Sequence, residues 1–205
     1  MIVIIDMGMG NIRSLEYKLS RSNFEVLVSS KIKDLTNASR LILPGVGHFK
    51  TAMRNLKEKG LDVTLNNLVI KNKIPILGIC LGMQLFTKDS EEGNVEGLGW
   101  LNAHTKKFIF GNNSDYKVPH VGWNKLKYKN SISLLSGLPK PKYYYFTHSY
   151  YVDCLEERDI VAKTSYGFDF VSMVCKENIV GTQFHPEKSH KEGFKIVERF
   201  CSGKY

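Results

Sequence analysis

The chain has 205 residues, of which 42% are hydrophobic and 24% charged, and its formal net charge is +9. The length suits one domain, residues 1–205, and the composition is that of a globular protein with a large core. No stretch predicts a membrane-spanning helix, and the opening run MIVIID lacks the basic lead and cleavage site of a secretory signal. The four cysteines form no C-x-x-C pair, so we expect neither a zinc knuckle nor a disulfide framework. This use of cysteine suits a reducing compartment, and we expect a cytoplasmic location.

The positive charge has two interpretations that the sequence leaves open. Lysines are spread along the chain, as on a solvated basic surface. The same surplus would suit an anionic partner, either a phosphorylated substrate or an acidic protein face. No recognisable nucleic-acid module accompanies the charge, so we expect no nucleic-acid binding.

Strand-like and helix-like runs alternate in the first half of the chain. Near-continuous apolar strands separated by helices indicate a mostly parallel sheet buried on both faces. The predicted strands are 1–6, 24–30, 40–44 and 75–79, and the predicted helices are 11–22 and two segments within 49–72.

The second half, after about residue 97, consists of short strand-like runs broken by Gly, Pro, Asn and Asp. This pattern predicts a β-rich half that is at least partly antiparallel. A helix over 191–201 closes the chain, and we expect one compact α/β domain.

The glycine cluster DMGMGN (6–11) follows a strand and opens a helix, where a dinucleotide-binding fingerprint would lie. Arg13 takes the place of the third glycine, and no acidic residue closes a second strand. We therefore expect a tight turn at the carboxyl edge of the sheet rather than a nucleotide site.

The segment PILGICLGMQLFT (75–87) places Cys80 between Gly78 and Gly82 at a predicted strand-to-helix junction. Small neighbours permit the sharp turn of a nucleophile elbow, here with cysteine in place of serine. A helix N-terminus favours the thiolate, and the N–H of Leu81 would help to stabilise an oxyanion. A lone cysteine is also commonly a packed core residue, and this motif alone leaves both interpretations open.

A nucleophilic cysteine needs a base, and His185 is the candidate. It ends the apolar run NIVGTQF and precedes Pro186, which favours extended backbone before it. Since residues i and i+2 of an extended chain project to one side, Glu187 would lie beside the imidazole and orient it. A surface ion pair is the alternative. The zinc-site patterns P-C-x-x-C and H-E-x-x-H are absent, so we expect no metal.

The segment PGVGHF (44–49) directly follows a predicted strand. Its two glycines permit unusual backbone angles and a close approach of N–H groups to a ligand. An oxyanion hole or ligand cradle is the functional interpretation, and a plain strand-to-helix turn is the alternative.

Together these motifs resemble the class I glutamine amidotransferases. GICLGMQ is followed, later in the chain, by HPE, and three further pieces are similar to the glutaminase subunits of imidazole glycerol phosphate synthase: PGVGHF, PHVGWN (119–124) and HPEKS (185–189). DMGMGN and EGLGW (96–100) agree. The resemblance covers essentially the whole chain and implies a three-layer α/β fold, with a mostly parallel central sheet flanked by helices and a β-rich C-terminal half.

The resemblance also implies a mechanism. Cys80 would attack the side-chain amide of L-glutamine, His185 would act as general base and acid, and Glu187 would orient it. Backbone N–H groups around three residues would form the oxyanion hole: Val46, Gly47 and Leu81. Glutamine would be bound by Gln84, Glu92, Ser149 and Tyr150.

The partner implied by the resemblance is a (β/α)8-barrel cyclase subunit that receives the ammonia, and no cofactor is implied. Positions that match the interface are Asn11, Trp123 and Lys188. Met7 departs from the tyrosine that the family commonly carries. Two alternatives stay open: the same glutaminase serving amidination of a bacterial surface sugar, and a catalytically silent scaffold subunit.

Overall fold

The first half of the chain alternates between strands and helices in the computed structural model, which describes residues 1–10, 12–111, 114–137 and 143–203. The strands are β1 (Ile2–Ile5), β2 (Val26–Ser29), β3 (Arg40–Gly45) and β4 (Ile76–Cys80). The helices are α1 (Ile12–Arg21), α2 (Ile32–Thr36), α3 (Phe49–Glu58), α4 (Leu61–Asn66), which continues as a π-helical segment (Asn67–Lys71), and α5 (Leu81–Gln84).

The second half is rich in strands, as its sequence predicts, and ends in one long helix. Its strands are β5 (Asp89–Ser90), β6 (Val95–Glu96), β7 (Ala103–Lys107), β8 (His120–Asn124), β9 (Lys127–Tyr128), β10 (Tyr144–His148), β11 (Tyr150–Cys154), β12 (Ile160–Tyr166), β13 (Phe168–Lys176) and β14 (Ile179–Thr182). The helix is α6 (His190–Cys201). No helix in the described residues is both long enough and apolar enough to cross a membrane.

The main sheet has a parallel part and an antiparallel part. Its strand order is β2-β1-β3-β4-β14-β13-β11-β7-β5-β6, with β12 pairing beside β13. The strands from β2 to β14 run parallel, whereas β13 is antiparallel to both β14 and β11. The predicted parallel sheet thus corresponds to the first half of the chain plus β14, and the carboxyl ends of these strands share one edge, where α/β proteins place their ligands.

Both faces of the sheet are covered by helices. On β1, Val3 and Ile5 pack into a core with residues of α2, α3 and α4, whereas Ile2 and Ile4 pack with α1 and α6. This alternation follows from the two-residue period of a strand. All four side chains are at most 4% exposed. The α/β fold with a central sheet flanked by helices is therefore confirmed, and it has three layers.

Strands β8 and β10 form a separate antiparallel ribbon. Its register pairs Trp123 with Tyr145 and His120 with His148. Since neighbouring residues of a strand point to opposite sides, His120 and Trp123, three residues apart on β8, face opposite sides, and His120 is buried whereas Trp123 is exposed. The chain leaves β10 through Ser149 into β11, next to the carboxyl edge of β4, so the ribbon forms one wall of the site described below.

Candidate active site

Cys80 is the last residue of β4 and directly precedes α5. Its backbone has φ 54° and ψ −109°, a region that residues with a side chain rarely adopt. Such strain at a strand-to-helix turn is the geometry of a nucleophile elbow. The neighbouring strands hold the turn on both sides, since Gly45 of β3 is the register partner of Cys80 and Thr182 of β14 is the partner of Ile79.

The glycines beside Cys80 let the elbow form. A Cβ on Gly82 would lie 1.8 Å from the carbonyl oxygen of Leu43, so α5 packs directly on the backbone of β3. A Cβ on Gly78 would lie 2.6 Å from the ring of Phe86 and 2.7 Å from the backbone nitrogen of Met83. Both distances are far below van der Waals contact, and any side chain at these positions would displace the helix.

The Cys80 sulfur lies between two polar groups. It is 3.8 Å from the carbonyl oxygen of Thr147, which accepts from the thiol, and 3.6 Å from Nε2 of Gln183, which donates to the sulfur. Cys80 is 4% exposed, and Gln183 is fully buried. The sequence motif did not single out either neighbour of the sulfur.

His185 and Glu187 form a buried hydrogen-bonded pair, with 2.8 Å between Nδ1 and Oε1. His185 itself is extended, as expected, but the chain then turns through a 3₁₀ segment, Pro186–Lys188, instead of continuing as a strand. The hydroxyl of Ser189 donates to the carbonyl of His185 and accepts from the N–H of Tyr145. These bonds fix the pair against β10, and an exposed surface ion pair is excluded because His185 is only 3% exposed.

The pKa of the His185 imidazole is shifted by its neighbours. Burial opposes its charged form, but the Cys80 sulfur and the Glu187 carboxylate outweigh burial and raise the pKa of His185 to about 10. Nε2 has no hydrogen-bond partner among the residues that the structure describes. The ring therefore presents Nε2, on the side opposite Glu187, without a hydrogen bond to another described residue.

A cavity of about 280 Å³ opens in front of Cys80. It is lined by the residues that the resemblance assigns to the oxyanion hole and to glutamine binding, namely Val46, Gly47, Leu81, Gln84, Glu92, Ser149 and Tyr150. Three further lining residues were not singled out in the sequence: Pro119, Thr147 and His148. The segments 44–49, 80–84 and 147–150 thus meet around one space, although they are far apart in the chain.

The side chains of Glu92 and Gln84, which line this cavity, are held by hydrogen bonds to the protein behind them. Oε2 of Glu92 accepts from the N–H of Phe49 at 2.7 Å, at the N-terminus of α3, where a carboxylate is favoured. Nε2 of Gln84 donates to the carbonyl oxygen of Tyr150 at 2.9 Å and to Oε1 of Gln183 at 3.0 Å. Both side chains are therefore fixed in position.

Two buried histidines support the wall of the cavity. Nδ1 of His148 donates to the carbonyl oxygen of Tyr150 at 2.7 Å, and Nδ1 of His120 is 3.1 Å from Nε2 of His148. Burial lowers the pKa of His148 to about 3 and that of His120 to about 4, so both rings are neutral at physiological pH. With His148 protonated on Nδ1, its Nε2 is the acceptor for the N–H of His120.

The His185–Glu187 pair borders a second, narrow space on the other side of Val46. This cavity measures about 10 Å³, and its lining includes Gly45, Val46, His185, Glu187 and Lys188. That volume is about one water-sized molecule. The larger cavity and the narrow one therefore share Val46 as a common wall.

The residues expected at a partner interface lie together on the surface near His185. Trp123 is 44% exposed and stacks on His190, with 4.5 Å between ring centroids. The ammonium of Lys188 lies 5.8 Å from the ring centroid of Tyr145, which also packs against Trp123. Asn11, the third predicted interface residue, lies outside the described residues.

Met7, where the family commonly has tyrosine, is fully buried. Its terminal methyl group lies against Gly45, because a Cβ on that glycine would approach it to 2.6 Å. The side chain thus packs under the β3 turn. Among the described residues, no three His, Cys, Asp or Glu side chains come together as a possible metal site.

A model of the glutamine amidotransferase class-I family matches residues 3–202, nearly the whole chain. The chain belongs to the class-I glutamine amidotransferase family. It is accordingly an amidotransferase, and the resemblance of its motifs to that family is confirmed.

Curated relatives of this amidotransferase match it along nearly its entire length. Imidazole glycerol phosphate synthase subunit HisH 2 of Methanococcus maripaludis is 47% identical, with 98% of each chain covered. The HisH subunit of Leptospira borgpetersenii is 42% identical over 98% of this chain and 100% of its own. HisH 1 of Campylobacter jejuni is 43% identical, with 98% of each chain covered.

Solved structures share the fold of the amidotransferase at low sequence identity. A crystal structure of a glutamine amidotransferase superimposes with a TM-score of 0.73 at 20% identity, covering 98% of both chains. A glutamine amidotransferase from Thermotoga maritima gives a TM-score of 0.64 at 19% identity, covering 98% of this chain and 82% of the other. At this identity the match shows the fold.

Proposed function

We propose that the chain is the glutaminase subunit of an imidazole glycerol phosphate synthase and acts in histidine biosynthesis. It would hydrolyse L-glutamine and deliver ammonia to a (β/α)8-barrel cyclase subunit, which forms imidazole glycerol phosphate and AICAR. The observation that carries the proposal is the strained elbow of Cys80, which opens on the cavity, together with the buried, hydrogen-bonded His185–Glu187 pair. The whole chain, residues 1–205, would act as one amidotransferase domain.

The substrate would occupy the larger cavity with its side-chain amide at Cys80. The carboxylate of Glu92 suits the α-ammonium group of glutamine, and the turn at Ser149 and Tyr150 offers backbone groups to its amino-acid end. Backbone N–H groups at Val46, Gly47 and Leu81 would stabilise the oxyanion of the tetrahedral intermediate.

The reaction would proceed through a thioester. Because the pKa of His185 is raised to about 10, its Nε2 holds the proton at neutral pH, and Cys80 attacks as the thiolate, whose sulfur bonds to the amide carbon. His185 then protonates the leaving nitrogen as the C–N bond breaks, which releases ammonia. Water next attacks the thioester, with His185 as base, and glutamate leaves as the sulfur returns to the thiolate. Glu187 keeps the imidazole oriented throughout.

Ammonia would leave towards the partner rather than through the glutamine entrance. The narrow cavity at His185 and Glu187 is separated from the glutamine cavity by Val46 and reaches Lys188, one of the proposed interface residues. Trp123 and Lys188, which meet over Tyr145, would contact the cyclase. Movement of this patch on docking would reach the catalytic histidine, because the carbonyl of Tyr145 accepts the backbone N–H of His185.

The pathway follows from the relatives, since the three named above are subunits of imidazole glycerol phosphate synthase. Amidination of a surface sugar would use the same glutaminase and a different acceptor enzyme. A catalytically silent scaffold is disfavoured by the intact and hydrogen-bonded His185–Glu187 pair.

Glutamine hydrolysis by the chain, co-expressed with its cyclase, tests the proposal. Cys80→Ala should reduce hydrolysis by about a thousandfold or more, since it removes the nucleophile. Cys175→Ala, which removes another free cysteine, is the matched control and should leave the rate unchanged. Hydrolysis that survives Cys80→Ala would overturn the mechanism.

Growth separates the two pathways. The chain and its cyclase should restore growth without histidine to a strain that lacks its own glutaminase subunit. Active glutamine hydrolysis without restored growth would support the sugar-amidination alternative. Neither hydrolysis nor labelling of Cys80 by a glutamine-mimicking electrophile would support the silent scaffold.

A further inference from the structure

A buried chain of hydrogen bonds connects the cavity wall to the Cys80 sulfur. It runs from the carbonyl oxygen of Tyr150 to Nε2 of Gln84, from the same Nε2 to Oε1 of Gln183, and from Nε2 of Gln183 to the sulfur. The distances are 2.9, 3.0 and 3.6 Å. Gln84 is 4% exposed and Gln183 is fully buried, so water does not compete for these groups.

The direction of every bond in this chain follows from its first member. A backbone carbonyl can only accept, so the atom of Gln84 that faces Tyr150 is its nitrogen. The atom of Gln183 that faces this nitrogen must be an acceptor, which is Oε1. The other end of the Gln183 amide is then Nε2, and that atom faces the sulfur. Turning the Gln183 amide over would place two N–H groups against each other.

The backbone holds Gln183 in this place. It directly follows β14, whose last residue, Thr182, is the register partner of Ile79, so Gln183 and Cys80 are at the same level of two parallel neighbours. The N–H of Gln183 also donates to the carbonyl of Ser172 on β13 at 2.9 Å. The two-residue alternation that brings His185 near the site also brings Gln183 to the same side.

An N–H group that faces sulfur from a buried position favours the charged form of the sulfur. A hydrogen bond to an ionised acceptor is stronger than one to a neutral acceptor, and burial strengthens it further. The Thr147 carbonyl has the opposite preference, because it can only accept and therefore favours the protonated thiol. The two contacts of the sulfur thus distinguish its protonation states.

We propose that Gln183 is a positioning residue of the proposed glutaminase. Its amide donates a hydrogen bond to the Cys80 thiolate and at the same time holds Gln84 at the glutamine cavity. The inference rests on the proposed function in one respect, the role of Cys80 as nucleophile. One buried amide thereby ties the nucleophile to a residue of the substrate-binding wall.

The test is the rate of Cys80 alkylation by iodoacetamide as a function of pH, measured on the assembled complex by mass spectrometry of the Cys80 peptide. Gln183→Met fills a similar volume without the donor. It should move the midpoint of the rate profile upward by about one pH unit, which slows alkylation by about tenfold at pH values below the original midpoint. A purely structural role of Gln183 would leave that midpoint in place.

Thr182→Val is the matched control. It is the neighbouring residue, fully buried, and its hydroxyl has no hydrogen-bond partner among the described residues. Its alkylation profile should coincide with that of the unchanged chain. If Gln183→Met does not yield folded protein, Gln183→Leu is measured in its place, with circular dichroism and thermal unfolding as the test of folding.

The outcomes separate the inference from the proposed function. A folded Gln183 variant with an unchanged alkylation profile overturns the inference, whatever the rate of glutamine hydrolysis. A shifted profile supports it even where the unchanged chain fails to hydrolyse glutamine, a result that would count against the proposed function alone. A shift of equal size in Thr182→Val would assign the effect to packing and also overturn the inference.

Discussion

His185 and Glu187 are hydrogen-bonded through Nδ1 and Oε1 at 2.8 Å, and both side chains are more than nine-tenths buried. This contact decides which ring nitrogen is available for chemistry. With Nδ1 donating to the carboxylate, Nε2 is the nitrogen that exchanges protons with the site. Loss of the carboxylate would leave the ring free to adopt the other tautomer.

Glu187→Gln should therefore lower the rate of glutamine hydrolysis by about a hundredfold or more, while the chain still folds. The amide can accept the same hydrogen bond but carries no charge to stabilise the imidazolium. Steady-state kinetics of the complex with its cyclase measure the effect. Glu177→Gln, a change at an exposed salt bridge, is the control, and an equal loss of rate there would contradict the assignment.

The same pair predicts a decline of stability towards alkaline pH. The pKa of His185 is raised to about 10 in the folded chain from 6.5, so the folded state binds this proton more tightly than the unfolded state. The stabilisation is complete below pH 6.5 and is lost as the pH rises to about 10. Urea unfolding midpoints should fall over this window and fall less steeply in Glu187→Gln, whose His185 has a lower pKa. Parallel declines in the two proteins would contradict the prediction.

The buried histidines His120 and His148 predict a separate loss of stability in acid. Burial lowers their pKa values to about 4 and about 3 from 6.5, so the unfolded state binds more protons below pH 6.5. The contribution of the two neutral histidines to the free energy of unfolding is complete above pH 6.5. It falls towards pH 4 by about 1.4 kcal/mol per pH unit for each histidine.

His120→Gln should reduce this acid dependence to about half, because one titrating group is removed while a neutral donor to His148 remains. Urea unfolding between pH 7 and 4.5 measures the slope. His104→Gln on β7, a partly exposed histidine paired with Asp89, is the control. A slope in His120→Gln equal to that of the unchanged chain would show that the pair does not control acid stability.

Gly82→Ala should prevent folding or destabilise the chain by more than about 4 kcal/mol. The new methyl group would lie 1.8 Å from the backbone oxygen of Leu43, and backbone cannot move aside as a side chain can. Gly111→Ala is the matched control, since nothing lies within 4 Å of its added Cβ. Thermal unfolding should show a change of at most about 0.5 kcal/mol for Gly111→Ala. Normal stability of Gly82→Ala would refute the packing of α5 on β3.

Trp123→Ala should weaken binding of the cyclase by about tenfold or more, because an exposed tryptophan stacked on its neighbours has the character of an interface anchor. Calorimetric titration with the purified cyclase measures the affinity. Leu155→Ala, at a similarly exposed apolar residue away from the ribbon, should bind as the unchanged chain does. Equal affinities for the two variants would remove Trp123 from the interface.

Much of the parallel half of the fold could be predicted from sequence. Each predicted strand of the first half corresponds to one of β1–β4, because buried parallel strands are short, apolar and bounded by turn residues. Helix α2 was not predicted, since its five residues bury only Leu35 and show no helical periodicity. The pairing of β14 with β4 is a contact between distant segments, which local pattern does not encode.

The residues of the site could be predicted where a short sequence motif specifies a local backbone geometry. Gly78 and Gly82 around Cys80 indicated the elbow, and His185 with Glu187 indicated a pair two residues apart. Gln183 carried the same signal, being two residues before His185, but an uncharged amide in an apolar run suggests no chemistry on its own. His148 and Thr147 became recognisable only through β10, which brings them to the cavity wall.

The pairing of β4 with β14 also orders the assembly of the enzyme in time. Strand β4, which ends in Cys80, lies in the first half of the sequence, but β14, its neighbour on one side, begins only at Ile179. During synthesis, Cys80 therefore emerges before its neighbour strand β14 and before His185, which follows that strand. A nascent chain therefore lacks one neighbour of the Cys80 turn until the residues from Ile179 onward have been synthesised, and the His185–Glu187 pair can form only after that strand.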